Sequence, residues 1–337
     1  MFSEAPLLLL LLPTLLVALP TQAPPEAVNE WHNFVSTHQK QYDSPEEVDK
    51  RFAIFYNNLE LIKKLNAEHG SDAYKVTHFA DLTQEEFQQK YIATPAIMPE
   101  SFADQAEICP MPIIDSNKKL PEKVDWRDRL AMNVKNQDSP NWCGSCYAFA
   151  AIGAIEAYAQ MQTGRNYSLS QQQIVDCSRQ WGCNGGTPHA AFTYMQNGIS
   201  SERDYPYKAK QETCRYQRKK SDIKVKCYVN VPYWDENALK YVLATVGPVA
   251  ISCIRCHFQG YYHLTGNKIL TECRNNTLTH GVLAVGYGTD GGMDYWLIKN
   301  SWGSGWGVGG YGKIIRNKGN LCGVASQGAF PVLETIN

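Results

Sequence analysis

The stretch Cys143-Gly-Ser-Cys-Tyr-Ala-Phe-Ala-Ala-Ile-Gly-Ala-Ile-Glu-Ala157 decides how this chain is read. A Gly144-Ser145 turn delivers Cys146 to the start of an alanine-rich run of high helix propensity. A thiol at a helix N-terminus feels the positive end of the dipole, which favours the thiolate, the form that attacks carbonyls. Cys146 is therefore the candidate nucleophile. It needs a base, a group that orients the base, and donors for an oxyanion. From Leu120 onward the histidines are His189, His257, His263 and His280. His280 opens His280-Gly-Val-Leu-Ala-Val-Gly-Tyr-Gly288, which reads as a buried strand, and Asn300 ends Tyr295-Trp-Leu-Ile-Lys-Asn300. They follow Cys146 by 134 residues (280 minus 146) and 154 (300 minus 146). His189 reads as flanking the site, and His257 and His263 as loop or surface residues.

Outward from that stretch, the pattern is helical before it and strand-like after it. Val28, Trp31, Phe34 and Val35 recur at helical spacing. A second helix runs through Phe52, Phe55, Leu59, Ile62 and Leu65, with Ser44-Pro45-Glu46-Glu47 as its start. Residues 92–119 are proline-rich and aperiodic, as an extended linker is. Ser170–Val175 reads as another helix, and Val249–Ile251, Gly281–Gly288, Tyr295–Lys299 and Tyr311–Ile315 as strands. Helices first and strands later predict an α+β body of two lobes with a site between them.

The 337 residues, 44% hydrophobic and 19% charged, carry a formal net charge of -1, which gives no reason to propose a nucleic-acid partner. The basic run from Arg215 to Lys226 reads as a solvated face. Leu7–Leu19 is apolar, interrupted by Pro13 and too short to span a bilayer; with Thr21 and Ala23 it reads as a secretory signal over residues 1–23, although its n-region carries Glu4 and no lysine or arginine. Eleven cysteines suit an oxidising compartment, and the odd count leaves at least one thiol over. Asn166 and Asn275 sit in glycosylation sequons.

Several motifs in order carry a family resemblance. Cys143-Gly-Ser-Cys-Tyr147 with a distant His and Asn is one. Glu47-x3-Arg51-x3-Phe55-x2-Asn58-x3-Ile62-x3-Asn66 is the ERFNIN pattern of cathepsin L and H prosegments. Leu120-Pro-Glu-Lys-Val-Asp-Trp-Arg127 resembles a mature start, and Gly182-Cys-Asn-Gly-Gly186 a cleft-lining loop. The chain thus resembles a papain-family cysteine protease zymogen. The resemblance implies a papain-like two-lobe fold, with an inhibitory propeptide over 24–119 and a peptidase domain over 120–337. It implies that Cys146 attacks the peptide carbonyl as part of an ion pair with His280. Asn300 orients the ring under Trp302, and Gln137 with the Cys146 N–H holds the oxyanion. Substrate would meet Gly185, Gly186, Pro188, Ser252, Leu278, Trp302 and Gln327. Disulfides would join Cys143–Cys183, Cys177–Cys214 and Cys273–Cys322, each contributing about 2–4 kcal/mol. Cys227 could pair with Cys253 or Cys256; sequence does not assign it. No cofactor or metal is implied. The partners implied are peptide and protein substrates, the chain's own propeptide and cystatin-type inhibitors, in a lysosomal, endosomal or secreted setting.

The chain departs from the family pattern in four places. Asp138-Ser-Pro-Asn-Trp142 separates Gln137 from Cys143 by five residues where two are usual. This resembles the expanded loop of cathepsin X, with Asp138 in place of the histidine that receives a C-terminal carboxylate. A carboxylate there would repel that group, so the expectation is endopeptidase action without this carboxypeptidase activity. Tyr147 replaces the usual tryptophan. The prosegment motif G-x-N-x-F-x-D survives only as Lys75-x-Thr77-x-Phe79-x-Asp81. Gln327 gives the S2 pocket a polar floor, from which tolerance of polar or basic P2 residues is expected. Cys109 invites comparison with the disulfide-tethered propeptide fragment of cathepsin H, but the body partner used there falls at Gln327. The competing readings are an inactive papain-fold binding or scaffold module, an exopeptidase shaped by residues 138–142, and zinc knuckles at Cys143-x2-Cys146 and Cys253-x2-Cys256.

Overall fold

The computed structural model describes residues 23–334 and 336, apart from 70–71, 92–106, 179–181, 218–222, 255–262, 264–266, 272 and 274–277. Nearly all of the expected leader, together with Cys256, His257 and Asn275, lies outside the described residues.

The N-terminal unit is built on two crossing helices, α1 (Pro25–Thr37) and α2 (Pro45–His69). α2 starts where its sequence signals place it, with the Ser44 hydroxyl accepting from the Glu47 N–H at 3.2 Å. Trp31 and Phe34 of α1 meet Phe52 and Phe55 of α2 in a small aromatic core. The polar positions of the ERFNIN pattern hold a returning strand of chain. Asn66 exchanges two hydrogen bonds with Tyr74 (2.8 and 3.0 Å), Asn58 donates to the carbonyls of Ala80 and Leu82, and Arg51 donates to the Asp81 carbonyl. Helix α3 (Gln84–Tyr91) follows. Thr83 and Glu86 cap it reciprocally, the hydroxyl accepting from one N–H and the carboxylate from the other.

The body carries helices α4 (Cys146–Thr163), α5 (Gln171–Cys177), α6 (Pro188–Met195) and α7 (Glu236–Thr245). Its strands are β1 (Val124–Asp125), β2 (Val225–Val231), β3 (Val249–Ile254), β4 (Ile269–Leu270), β5 (Leu278–Asp290), β6 (Met293–Lys299), β7 (Tyr311–Ile315) and β8 (Gln327–Leu333). They form one sheet in the order β2-β8-β3-β5-β6-β7-β4, with β1 also on β5. All pairs are antiparallel except β4 with β7.

β5 reads as an unbroken apolar run because both of its faces are covered. Val282 and Ala284 enter a core with Leu239 and Val242 of α7, while Leu283 and Val285 enter a core with Tyr147 and Ile152 of α4. Gly286 admits β1, since a Cβ there would fall 2.0 Å from the Val124 carbonyl oxygen. This is the papain-like α+β arrangement, a helical lobe on α4 against a sheet lobe. Tyr74, Phe79 and Phe87 of the N-terminal unit join the α7-side core of the body, so the two units share apolar interior.

Two expectations are corrected. Cys227 pairs with Cys109, not with Cys253 or Cys256. His263 is fully buried rather than a surface residue, and its carbonyl accepts from the Lys75 N–H of the N-terminal unit at 3.0 Å.

Candidate active site

Helix α4 begins at Cys146 with no side chain capping its N-terminus; Ser145, at the cap position, turns its hydroxyl to Tyr207 Oη at 2.6 Å. The Ala148 N–H donates to the Ser145 carbonyl at 2.8 Å, while the Cys146 and Tyr147 N–H groups act on the Cys146 sulfur and favour its thiolate. Strand β5 brings His280 alongside. It comes this close because residue 281 is glycine: a Cβ there would lie 3.1 Å from the Tyr147 backbone and 3.2 Å from the Cys146 carbonyl carbon. Cys146, Gly186, Pro188, Ser252, Leu278, His280 and Gln327 line one cavity, with Ser252 and Gln327 as cross-strand partners on β3 and β8. Gly185 sits in the adjoining loop at φ 126°, a conformation that favours glycine.

Nε2 of His280 and Oδ1 of Asn300 are 2.8 Å apart, and the Ser301 N–H also donates to that oxygen at 2.8 Å. Asn300 Oδ1 can only accept, so Nε2 carries the proton and the buried Nδ1, which makes no hydrogen bond, is the free base. The Trp302 ring lies 4.8 Å from the His280 ring and covers the contact. Gln137 is wholly buried and doubly fixed: its Nε2 donates to the Cys143 carbonyl at 2.9 Å and its Oε1 accepts from Ser301 Oγ at 2.7 Å. One Nε2 hydrogen remains available. Tyr207 Oη donates to the Gln137 carbonyl at 2.7 Å.

Ser301, Tyr207 and Gly281 are positioning residues that the sequence reading did not single out. Ser301 was adjacent to Asn300 and in plain view; Tyr207 lies in a loop without periodicity and gave no signal. Tyr147, in place of the family's tryptophan, donates to the Gly182 carbonyl at 3.0 Å. His189 of α6 does not line the cavity; half-buried, it sets its ring against Tyr228 of β2.

The electrostatics of the site are those of a covered one. Burial pushes the Cys146 thiol up to about 11, against backbone groups of Gly281 and Tyr147 that favour the thiolate. Burial also holds the His280 ring down at about 4, although its bond to Asn300 acts the other way. Both shifts favour neutral thiol and neutral imidazole, the opposite of the expected ion pair. The N-terminal unit supplies part of the cover: Phe79 and Phe87 set their rings edge-on to Trp302 at 5.6 and 5.3 Å. Asp138 has both carboxyl oxygens buried, and burial raises its pKa well above its ordinary value, although the Cys143 backbone N–H acts the other way. It interacts electrostatically with Cys146 and Tyr207.

The remaining sequence-identified residues lie as follows. Disulfides join Cys143–Cys183, Cys177–Cys214 and Cys273–Cys322. Asn166 is exposed. Among the described residues no group of three or more His, Cys, Asp or Glu is arranged to hold a metal, and no helix is long and apolar enough to cross a membrane.

Comparison with known proteins agrees with this geometry. Residues 120–332 match the papain family cysteine protease domain, and residues 31–87 match the cathepsin propeptide inhibitor domain (I29). The chain is 41% identical to a cathepsin L-like peptidase of Aedes aegypti, over 90% of this chain and 93% of that one. It is 38% identical to cathepsin S of Bos taurus, over 91% and 93%. Among solved structures, digestive procathepsin L 3 of Tenebrio molitor larval midgut superposes with a TM-score of 0.79 at 36% identity, covering 91% of this chain and 99% of that one.

A covered, neutral thiol reacts slowly. At pH 7.5, alkylation of Cys146 by iodoacetamide in the intact chain should be at least about a hundredfold slower than that of a free cysteine. Peptide mapping of the alkylated chain checks it, and a rate like that of free cysteine would contradict the covered site.

Proposed function

The chain belongs to the papain family of cysteine proteases, as a cathepsin L-like zymogen with an I29 propeptide, and from that premise we propose how its residues divide the work. Residues 1–23 are a secretory leader, 24–119 the propeptide and 120–337 the peptidase, destined for a lysosomal, endosomal or secreted setting. Peptide and protein chains are the substrates, and cystatin-type inhibitors are partners of the same cleft. No cofactor takes part.

The observation that carries the catalytic reading is His280, held through Nε2 by Asn300 and left with a free Nδ1 in the cavity that Cys146 lines. With the propeptide gone, water re-enters and the proton moves from Cys146 to Nδ1. The thiolate then attacks the scissile carbonyl carbon. The oxyanion accepts from the Cys146 N–H and the remaining Gln137 Nε2 hydrogen. His280 Nδ1 returns the proton to the leaving amine, and water, deprotonated by the same nitrogen, hydrolyses the thioester. Gly185, Gly186 and Trp302 flank the substrate chain. Pro188, Ser252, Leu278 and Gln327 form the P2 pocket, whose polar Gln327 floor supports tolerance of polar or basic P2 residues.

Activation at acidic pH follows from the propeptide's charges. The Arg51 guanidinium is 2.6 Å from both Glu47 and Glu86. Burial would raise the Glu86 pKa, but Arg51 and the Thr83 amide hold it down to about 2. Its folded pKa is depressed, so the stability it adds is lost only as pH falls from about 4.5 toward 2. Loosening of carboxylate pairs therefore comes late. His78 acts sooner. Burial, with Lys40 and His38 beside it, lowers its ring to about 3, and its Nε2 is buried without a hydrogen bond. The unfolded state binds this proton from pH 6.5 downward while the folded state resists it until about 3. Propeptide stability thus falls across that window, by about 2–3 kcal/mol at pH 4.5.

Acid-activated protein should hydrolyse peptide substrates and take an epoxide label on Cys146, with Cys146→Ala and His280→Ala each lowering turnover by 10³-fold or more. Correctly processed wild-type protein that neither labels nor cleaves would overturn the assignment in favour of a scaffold. His78→Phe should move the pH midpoint of processing down by about half a unit or more; an unchanged midpoint returns the role to the carboxylates. The buried carboxyl of Asp138 bears on chain ends: ionised, it repels a substrate's free C-terminus, and protonated, it does not. Peptide amides should therefore be preferred over matched free acids, the preference fading as pH falls; a strong preference for free acids would instead show carboxypeptidase action.

A further inference from the structure

The propeptide and the body are joined by more than packing. Cys109, inside the segment ascribed to the propeptide, is disulfide-bonded to Cys227 of β2, with 5.7 Å between their Cα atoms. Strand β2 is the end strand of the sheet, paired with β8 on one side only. Its other side is met by residues 107–109, in parallel. The Cys109 N–H donates to the Tyr228 carbonyl at 2.9 Å, and the Tyr228 N–H donates to the Glu107 carbonyl at 3.3 Å. Cys109 and Met111 pack against the α7-side core. Glu107, Ile108 and Pro110 are themselves exposed, so the segment is held by its pairing and its disulfide rather than by burial; Pro112–Lys119 beyond it are all exposed, Ile113 at 94%, and make no ladder pairing with β2.

We infer that the segment around Cys109 is a permanent light chain of the mature enzyme: it docks on the β2 edge and stays there through Cys109–Cys227 after the linker is cut. This rests on the reading of the chain as a processed precursor. A protease cuts the exposed run 112–119 more readily than residues 107–109, whose backbone is held extended against Tyr228 and cannot fold into a protease cleft without leaving β2. Hydrolysis there adds water across one peptide bond and leaves Cys109 on the N-terminal fragment, still attached to β2. A single cut at the family's usual mature start therefore does not free the inhibitor. Tethered, the propeptide stays at an effective concentration in the range of about millimolar, which no dilution lowers. Release needs a second cut on the N-terminal side of Glu107, and what then remains is a short peptide from about residue 107 to the first cut. It closes a sheet edge that would otherwise offer unpaired N–H and C=O groups to other chains. The tether differs from one at the P2 pocket: it leaves Gln327 and the cavity open, so endopeptidase access is retained.

The test uses the full chain with Cys146→Ser, which cannot process itself, so its outcome does not depend on peptidase activity. Limited digestion with a lysine-specific protease cuts at Lys118 or Lys119. Under denaturing, non-reducing conditions the cut protein should run as one species and separate into two fragments only after a dithiol reductant is added. Adding Cys109→Ser should give two fragments without reductant. Peptide mapping should recover the Cys109–Cys227 crosslink from the unreduced digest of the chain that retains Cys109, which keeps the test decisive if the double variant folds poorly. Fragments that separate without reductant, or Cys109 found on another cysteine, overturn the proposal. In parallel, acid-matured wild-type enzyme is labelled at Cys146 and its unreduced mass measured. A labelled enzyme lacking the Cys109 peptide refutes the light chain while leaving the peptidase reading intact. Absence of label with an intact tether does the reverse.

Discussion

The contact between Gly281 and the first turn of α4 sets the geometry on which everything else in this molecule depends. Strand β5 runs through the interior of the sheet, fixed by β3 and β6 at its sides and by α4 and α7 on its faces. Its backbone lies against the Cys146–Tyr147 peptide at a distance that a Cβ on residue 281 would make tight. That close approach settles where His280 stands relative to the nucleophile. The neighbouring strand β6 ends at Lys299, which places Asn300 at the far nitrogen of the ring. Preorganisation here is a packing result: three catalytic side chains come from one helix, one strand and the residue just past another, and the core that buries those elements also holds the chemistry in register.

The same burial favours the neutral forms of Cys146 and His280. A thiolate–imidazolium pair is stabilised by mutual attraction but must be taken out of water to exist in a covered cleft, and burial of both groups opposes it. The propeptide adds to that cover where Phe79 and Phe87 meet Trp302, whose ring lies against His280. Its own stability is tuned by groups that face inward, with Arg51 bridging two glutamates and His78 wedged against Phe79 with Lys40 nearby.

Much of this was legible in the sequence, for reasons that can be named. Helix α4 announces itself by alanine content, α2 by its cap and apolar spacing, and β5 and β6 by continuous apolar runs. Cys146, His280, Asn300 and Gln137 are recognisable by residue type and order along the chain. Helix α6 was not singled out, being short and largely buried, so its apolar face shows little contrast; α7 is amphipathic, with Ala238, Leu239, Val242 and Leu243 buried at helical spacing behind the Asp235 cap, a signal that was present and not used. Strand β2 sits at the sheet's edge with β8 next to it, and both borrow their identity from pairing, which no local pattern records. Cys109 could not be paired from sequence because its partner is 118 residues away and two other cysteines competed for it. His263 was misread because the contact its carbonyl makes is with Lys75 of the N-terminal unit, far away in the sequence.

Trp302 belongs to the interior of the precursor, met edge-on by Phe79 and Phe87, and to the exterior of whatever remains once those rings depart. Inhibitor and substrate are thus successive tenants of one apolar wall. Any change that makes this wall a poorer seat for the propeptide makes it a poorer seat for the chain to be cut, so restraint and catalytic appetite cannot be adjusted independently at this face. Separate adjustment has to come from residues the substrate never meets, such as His78 in the propeptide's own interior and the cysteine pair on the far edge of the sheet.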